Sequence, residues 1–136
     1  MRQKTVLLVD DEQAFLEPLE DALVYDGVRV LKARDVSAAL EILAREKIDL
    51  VTIDVMLSPG PKLEGKVDPH QAGIYLCEKV SREYPMMPAF CLSVVNSEGT
   101  IRRIQDLGVR FLRKGETPLR TVLEIIQSKL GVRFTA

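Results

Sequence analysis

The chain has 136 residues, 46% apolar and 29% charged, the size of one ordinary domain with a single buried core. With 19 Lys and Arg against 20 Asp and Glu, its formal net charge is −1, so no general positive field would hold a polyanion or a membrane surface. The apolar run 6–9 is too short for a signal segment, no stretch reaches membrane-spanning length, and Cys77 and Cys91 lack metal or redox spacing. The expectation is a cytoplasmic protein with buried, reduced thiols and no direct nucleic-acid or membrane partner.

In chain order, a strand is predicted over 5–9, followed by a helix over 12–25. Pro18 lies inside that helix, where its missing N–H should bend the helix at a cost of about 3 kcal/mol. A strand over 28–33 precedes Asp35, an N-cap for a helix over 36–46. The next strand, 49–53, ends at Asp54 and opens onto the one segment of loop composition, 58–71, where Pro59, Pro61 and Pro69 are interleaved with Gly60 and Gly65. A connection of that length is uncommon in a compact domain, and we expect a partly ordered flap outside the sheet, near its acceptor edge, used in partner selection. A helix over 72–84 and a strand over 89–93 follow, then Ser97 as cap of a helix over 97–107. A strand over 109–113 leads to Thr117, which precedes Pro118 at the first-turn position of a helix over 118–130. Gly27, Gly108 and Gly131 lie just past helix ends.

Regular alternation of apolar strands with amphipathic helices predicts an α/β fold, an open doubly wound parallel sheet covered on both faces. Ligands of such sheets bind beyond the carboxyl ends of the strands, where the winding direction switches. The strands here end in Asp10-Asp11, in Asp54, in Ser93 and in Lys114, so one sheet edge collects three carboxylates, a hydroxyl and an amine. Carboxylates held close repel one another unless a cation joins them, and an oxygen-only donor set favours Mg²⁺. With charge so neutralised, one carboxylate can attack phosphorus to form an aspartyl phosphate, a transfer that needs mainly positioning and electrostatics from the protein.

The runs Val6-Leu7-Leu8-Val9-Asp10-Asp11-Glu12, Asp49-Leu50-Val51-Thr52-Ile53-Asp54 and Phe111-Leu112-Arg113-Lys114, with a strand ending in Ser93 between the last two, resemble the receiver domain of two-component response regulators. The resemblance runs from about Lys4 to Leu130 and implies a flavodoxin-like three-layer sandwich with strand order 2-1-3-4-5, one receiver domain over 1–136. It implies Asp54 as phospho-acceptor and Asp10 and Asp11 as the acidic pocket. Mg²⁺ would be held by Asp10, Asp11, Asp54 and the backbone carbonyl of Met56. Ser93 and Lys114 would contact the phosphoryl oxygens, and Ser93 with Phe111 would form the switch. It further implies a histidine kinase or phosphotransfer protein upstream and a protein target or fused output domain downstream. A homodimer through the face of the fourth helix, fifth strand and fifth helix is implied as well, and the protein is then a phospho-acceptor, not an enzyme in the ordinary sense.

Three departures from the family pattern stand out. Gly73 follows Asp54 by 19 positions, an insertion of 11 residues that changes access to the acceptor. Ser93 stands where Thr is commoner, which loosens the hydroxyl rotamer. Gly115 follows Lys114 where Pro is usual; a cis non-proline bond costs about 2.5–4 kcal/mol, so a trans Lys114–Gly115 bond with Lys114 still reaching the pocket is expected. Met56 and Val95, two positions after the acceptor and the hydroxyl residue, cannot orient a water, which predicts a long-lived phosphorylated state.

Other readings of the residues are weaker. A phosphorylation-independent module on the same fold would have lost a pocket residue, and none is lost. A flavodoxin would need a Ser/Thr/Gly-rich first loop, and an aspartate-nucleophile phosphatase a second Asp at position 12, where Glu12 stands. His70, the single histidine, has no second ligand nearby in sequence and receives no role. Arg102, Arg103, Arg110, Arg113 and Arg120 form either a solvated face or an interface.

Overall fold

A computed structural model of the protein describes residues 2–131. Its central strand, β1 (Thr5–Val9), is buried at every position, as the apolar run requires of a strand covered on both faces. β2 (Arg29–Ala33) pairs with one side of β1 and β3 (Leu50–Ile53) with the other, both parallel. β4 (Ala89–Ser93) and β5 (Arg110–Arg113) extend the sheet to the order β2-β1-β3-β4-β5. This is the doubly wound, flavodoxin-like architecture read from the sequence.

Five helices cover the sheet. α1 (Gln13–Tyr25) and α5 (Leu119–Leu130) pack on one face, burying Leu16, Leu19, Leu23, Val122 and Ile126 against Val6, Leu8 and Phe90. α2 (Val36–Arg45), α3 (Ala72–Glu83) and α4 (Glu98–Asp106) cover the other, with Ala39, Leu43, Leu76, Val80 and Ile104 against Leu7, Val51 and Cys91. Full burial of each large aliphatic side chain contributes roughly 1.5–3 kcal/mol, and the two clusters hold the sheet between them. Among the described residues no helix is long and apolar enough to cross a membrane.

All ten elements lie within one residue of their predicted bounds. Asp35 caps α2 by accepting from the Ala38 amide at 2.8 Å, and Ser97 caps α4 by accepting from Thr100 at 3.3 Å. The start of α5 needs correction: Pro118, not Thr117, is the residue flanking the helix, with an extended ψ of 146°. Pro18 sits inside α1, which runs through it without a break.

The 58–71 segment also departs from expectation. It is folded onto α2 rather than standing off as a partly ordered flap. Ser58 and Pro59 offer their carbonyls to the amides of Val36 and Ser37 at 3.2 and 2.9 Å, and the Ser37 hydroxyl donates to Pro59 at 3.0 Å. These bonds satisfy N–H groups at the start of α2 that have no partner within the helix. Short 3-10 turns form at Pro61–Leu63 and Pro69–Gln71, Leu63 and Val67 pack on the core, and Lys62 pairs with Glu41 of α2.

Candidate functional site

The register of the central strands decides which side chains meet. Val9 of β1 is level with Ile53 of β3, so the next residues, Asp10 and Asp54, leave the sheet side by side. The backbone ladder continues one step further on both, with the Asp54 amide donating to Val9 at 3.0 Å and the Asp10 amide to Ala33 at 3.0 Å. Both carboxylates are thereby fixed at the sheet edge, and both are buried.

Lys114 arrives from β5, its amide bonded to the Ser93 carbonyl at 2.9 Å. Its Nζ donates to Asp10 Oδ2 at 2.8 Å, Glu12 Oε1 at 2.9 Å and Asp54 Oδ2 at 3.1 Å. The ring of Phe15, in the first turn of α1, has its centroid 4.5 Å from the same nitrogen. The Lys114–Gly115 bond is trans, as expected, and the turn that follows runs through Gly115 at φ +83°, a conformation that a Cβ would strain. Glycine therefore turns the chain here while leaving the lysine in the pocket.

Asp10, Asp11, Glu12 and Asp54 each place a carboxylate oxygen within 4.8 Å of the others. Burial holds the Asp10 carboxyl above its ordinary value; bonds from Lys114 and the Glu12 amide oppose this, while the neighbouring Asp54 adds to it. Lys114 is pushed the other way from what its burial alone would do, its pKa raised by bonds to Asp10, Glu12 and Asp54. Four carboxylates faced by a single ammonium, with oxygen as the donor atom of each, fit a hard divalent ion such as Mg²⁺.

The remaining residues singled out in the sequence lie around this edge. Met56 donates its amide to Asp54 Oδ1 at 2.9 Å and exposes its side chain. Ser93 is fully buried at the end of β4, its hydroxyl accepting from the Val95 amide at 3.3 Å. Phe111 packs half-buried against the core, with the Arg113 guanidinium 5.6 Å from its ring centroid. Arg113 also donates to the Val95 carbonyl at 3.3 Å and to Asn96 Oδ1, tying β5 to the loop after Ser93. His70 is exposed, its amide bonded to the Asp68 carboxylate. Of the arginines, Arg103 reaches Glu78 and Gln71, Arg113 Glu116 and Arg120 Glu124, so three of the five hold contacts within the chain. Cys77 and Cys91 are buried, and burial pushes the Cys77 thiol up to about 12. Glu12 and Phe15 had no assigned role in the sequence; the adjacency of Glu12 to Asp10-Asp11 was its only signal.

The family described as "Response regulator receiver domain" matches residues 6–126. The chain belongs to the response regulator receiver family. This receiver is 30% identical over 134 residues to response regulator GtcR of Aneurinibacillus migulanus, covering 96% of the chain and 49% of GtcR. It is 34% identical over 95 residues to the alkaline phosphatase synthesis transcriptional regulatory protein PhoP of Bacillus subtilis, covering 70% of the chain and 35% of PhoP. The receiver thus spans between about a third and a half of these relatives. Its fold is similar to a CheY-like receiver domain protein of Methanospirillum hungatei, with a TM-score of 0.80, 24% identity and coverage of 96% and 95% of the two chains.

Proposed function

We propose that this receiver accepts a phosphoryl group on Asp54 from a histidine kinase or phosphotransfer protein and passes the change to a protein target or a fused output domain. The observation that carries the reading is the buried Asp54 carboxylate, bonded to Lys114 and set beside a second buried carboxylate, Asp10. Such a pair is costly to keep unless its charge is used. A carboxylate oxygen of Asp54 attacks phosphorus; the bond from phosphorus to the donor breaks, and its electron pair leaves with the donor. Lys114 and Ser93 then hold the phosphoryl oxygens, and Ser93 with Phe111 carries the change to the β5 surface. Asp10, Asp11, Asp54 and the Met56 carbonyl would hold Mg²⁺, which when bound offsets the negative charge of carboxylates and phosphate. In this reading the protein is cytoplasmic, a switch rather than an ordinary enzyme, and pairs with a second copy through α4, β5 and α5.

With Mg²⁺ and acetyl phosphate the protein should gain one acid-labile phosphoryl group, and Asp54→Asn should gain none. Labelling that persists in that variant would sink the assignment. Mg²⁺ should also raise the unfolding temperature, by a free energy of about 2.7 kcal/mol at a hundredfold excess over its dissociation constant, and Asp11→Ala should lose most of that gain.

The phosphorylated state should be long-lived, because the Met56 and Val95 side chains beside the acceptor offer no base or hydrogen bond to an attacking water. A phosphate-release time course checks this: Met56→Asn/Val95→Glu should release faster than the unaltered protein, and an equal rate would move control of lifetime to the folded 58–71 segment.

A further inference from the structure

Lys114 has four neighbours in the pocket, and three of them are carboxylates with other uses in the proposed chemistry. We propose that the fourth, Phe15, is a positioning residue for Lys114, holding the ammonium in the pocket through every stage of phosphoryl acceptance. The inference rests on the acceptor reading of Asp54 and adds to it a residue outside the acidic motif.

The ammonium has three protons, and each has an acceptor: Asp10 at 2.8 Å, Glu12 at 2.9 Å and Asp54 at 3.1 Å. The Phe15 ring supplies a further contact, 4.5 Å from nitrogen to centroid, inside the range in which the negative face of an aromatic ring attracts a cation. Phe15 is 40% exposed, whereas the Lys114 side chain is only 4% exposed, so the ring screens the amine more than it fills the core. It also forms one wall of an apolar cleft of about 330 Å³ between α1 and α5, with Pro18, Leu92, Gly115 and Leu119 among its lining. The cleft runs to the Gly115 turn and thus to the backbone that carries the lysine.

The three carboxylates change during the reaction. Asp54 loses charge when its oxygen bonds phosphorus, and Asp10 and Glu12 belong to the oxygen cluster suited to a divalent ion. Phe15 can neither ligate a metal nor accept phosphorus, so its contact with Lys114 is the one that the chemistry leaves untouched. A lysine stem is long and rotamer-rich, and an ammonium deprived of its carboxylates would otherwise swing to water. The aromatic face opposes that swing without competing for the phosphoryl oxygens.

The test compares Phe15→Leu, which keeps apolar bulk without a π face, with Phe15→Tyr, which keeps the face. Small phosphodonors and beryllofluoride with Mg²⁺ serve as probes, because neither needs a docked kinase. Phe15→Leu should weaken beryllofluoride affinity, read by ¹⁹F NMR, about fivefold and slow labelling by acetyl phosphate to match, while Phe15→Tyr stays within about twofold of the unaltered protein. Thermal unfolding should be alike for both variants. Equal affinity of Leu and Phe at this position, or an equal loss in the Leu and Tyr variants, would overturn the proposal alone. Absence of labelling and of beryllofluoride binding in the unaltered protein would overturn the acceptor reading and this proposal with it.

Discussion

Lys114→Met should destabilise the metal-free protein by about 3–5 kcal/mol at neutral pH, since it leaves the buried carboxylates of Asp10 and Asp54 without their cation. Asp10→Asn should do the opposite and raise the unfolding temperature. The reason is the direction of the Asp10 pKa, held above its ordinary value by burial despite the bond from Lys114. The folded protein therefore binds that proton more tightly than the unfolded chain does, and stability falls as pH rises from the ordinary carboxylate value through the raised one. At neutral pH the whole cost is present, and asparagine removes it. Below the ordinary carboxylate value both forms of Asp10 are protonated, so the advantage of Asp10→Asn should vanish there, and the deficit of Lys114→Met should shrink as the carboxylates lose their charge. Urea unfolding from acid to neutral pH, with and without Mg²⁺, reads both. A Lys114→Met deficit that stays constant across that range would mean lost packing rather than unpaired charge.

Gly73→Ala should cost about 1–3 kcal/mol, although alanine in a helix is ordinarily better than glycine by about 0.5–1 kcal/mol. Gly73 lies in the first turn of α3, and a Cβ there would stand 2.2 Å from the Cα and carbonyl oxygen of Val55. Those atoms are backbone, one residue past Asp54, and cannot rotate away. Either the helix start or the loop after Asp54 must move. Denaturant unfolding gives the energy, and amide shifts of Val55 and Met56 give the displacement. A neutral or stabilising alanine would show that the contact relaxes freely.

The sequence carried most of the fold because both faces of the sheet are covered, which turns strands into apolar runs and helices into amphipathic ones. Asp10, Asp11, Asp54, Ser93 and Lys114 were legible for a related reason: each stands at a strand end, and a doubly wound sheet sends all such ends to one edge. What escaped depended on rotation and on main-chain atoms. The meeting of Phe15 with Lys114 joins residues 99 positions apart through the orientation of the first turn of α1, which no spacing rule fixes. The docking of 58–71 on α2 is made by the carbonyls of Ser58 and Pro59, and a carbonyl looks the same under any side chain. Proline and glycine content suggested looseness there, whereas the α2 amides supplied the partners that hold the segment down.

That anchored segment has an exposed middle between two fixed ends. Its first stem is bonded to α2 at Ser58 and Pro59, and its far end is set where Gly73 meets Val55. Between these clamps Glu64, Gly65 and Lys66 point to solvent. Substitutions at this crest should leave both clamps in place, because neither clamp uses the side chains of residues 64–66. One loop thus joins an exposed rim to two fixed ends, held by two carbonyls and a missing methyl group.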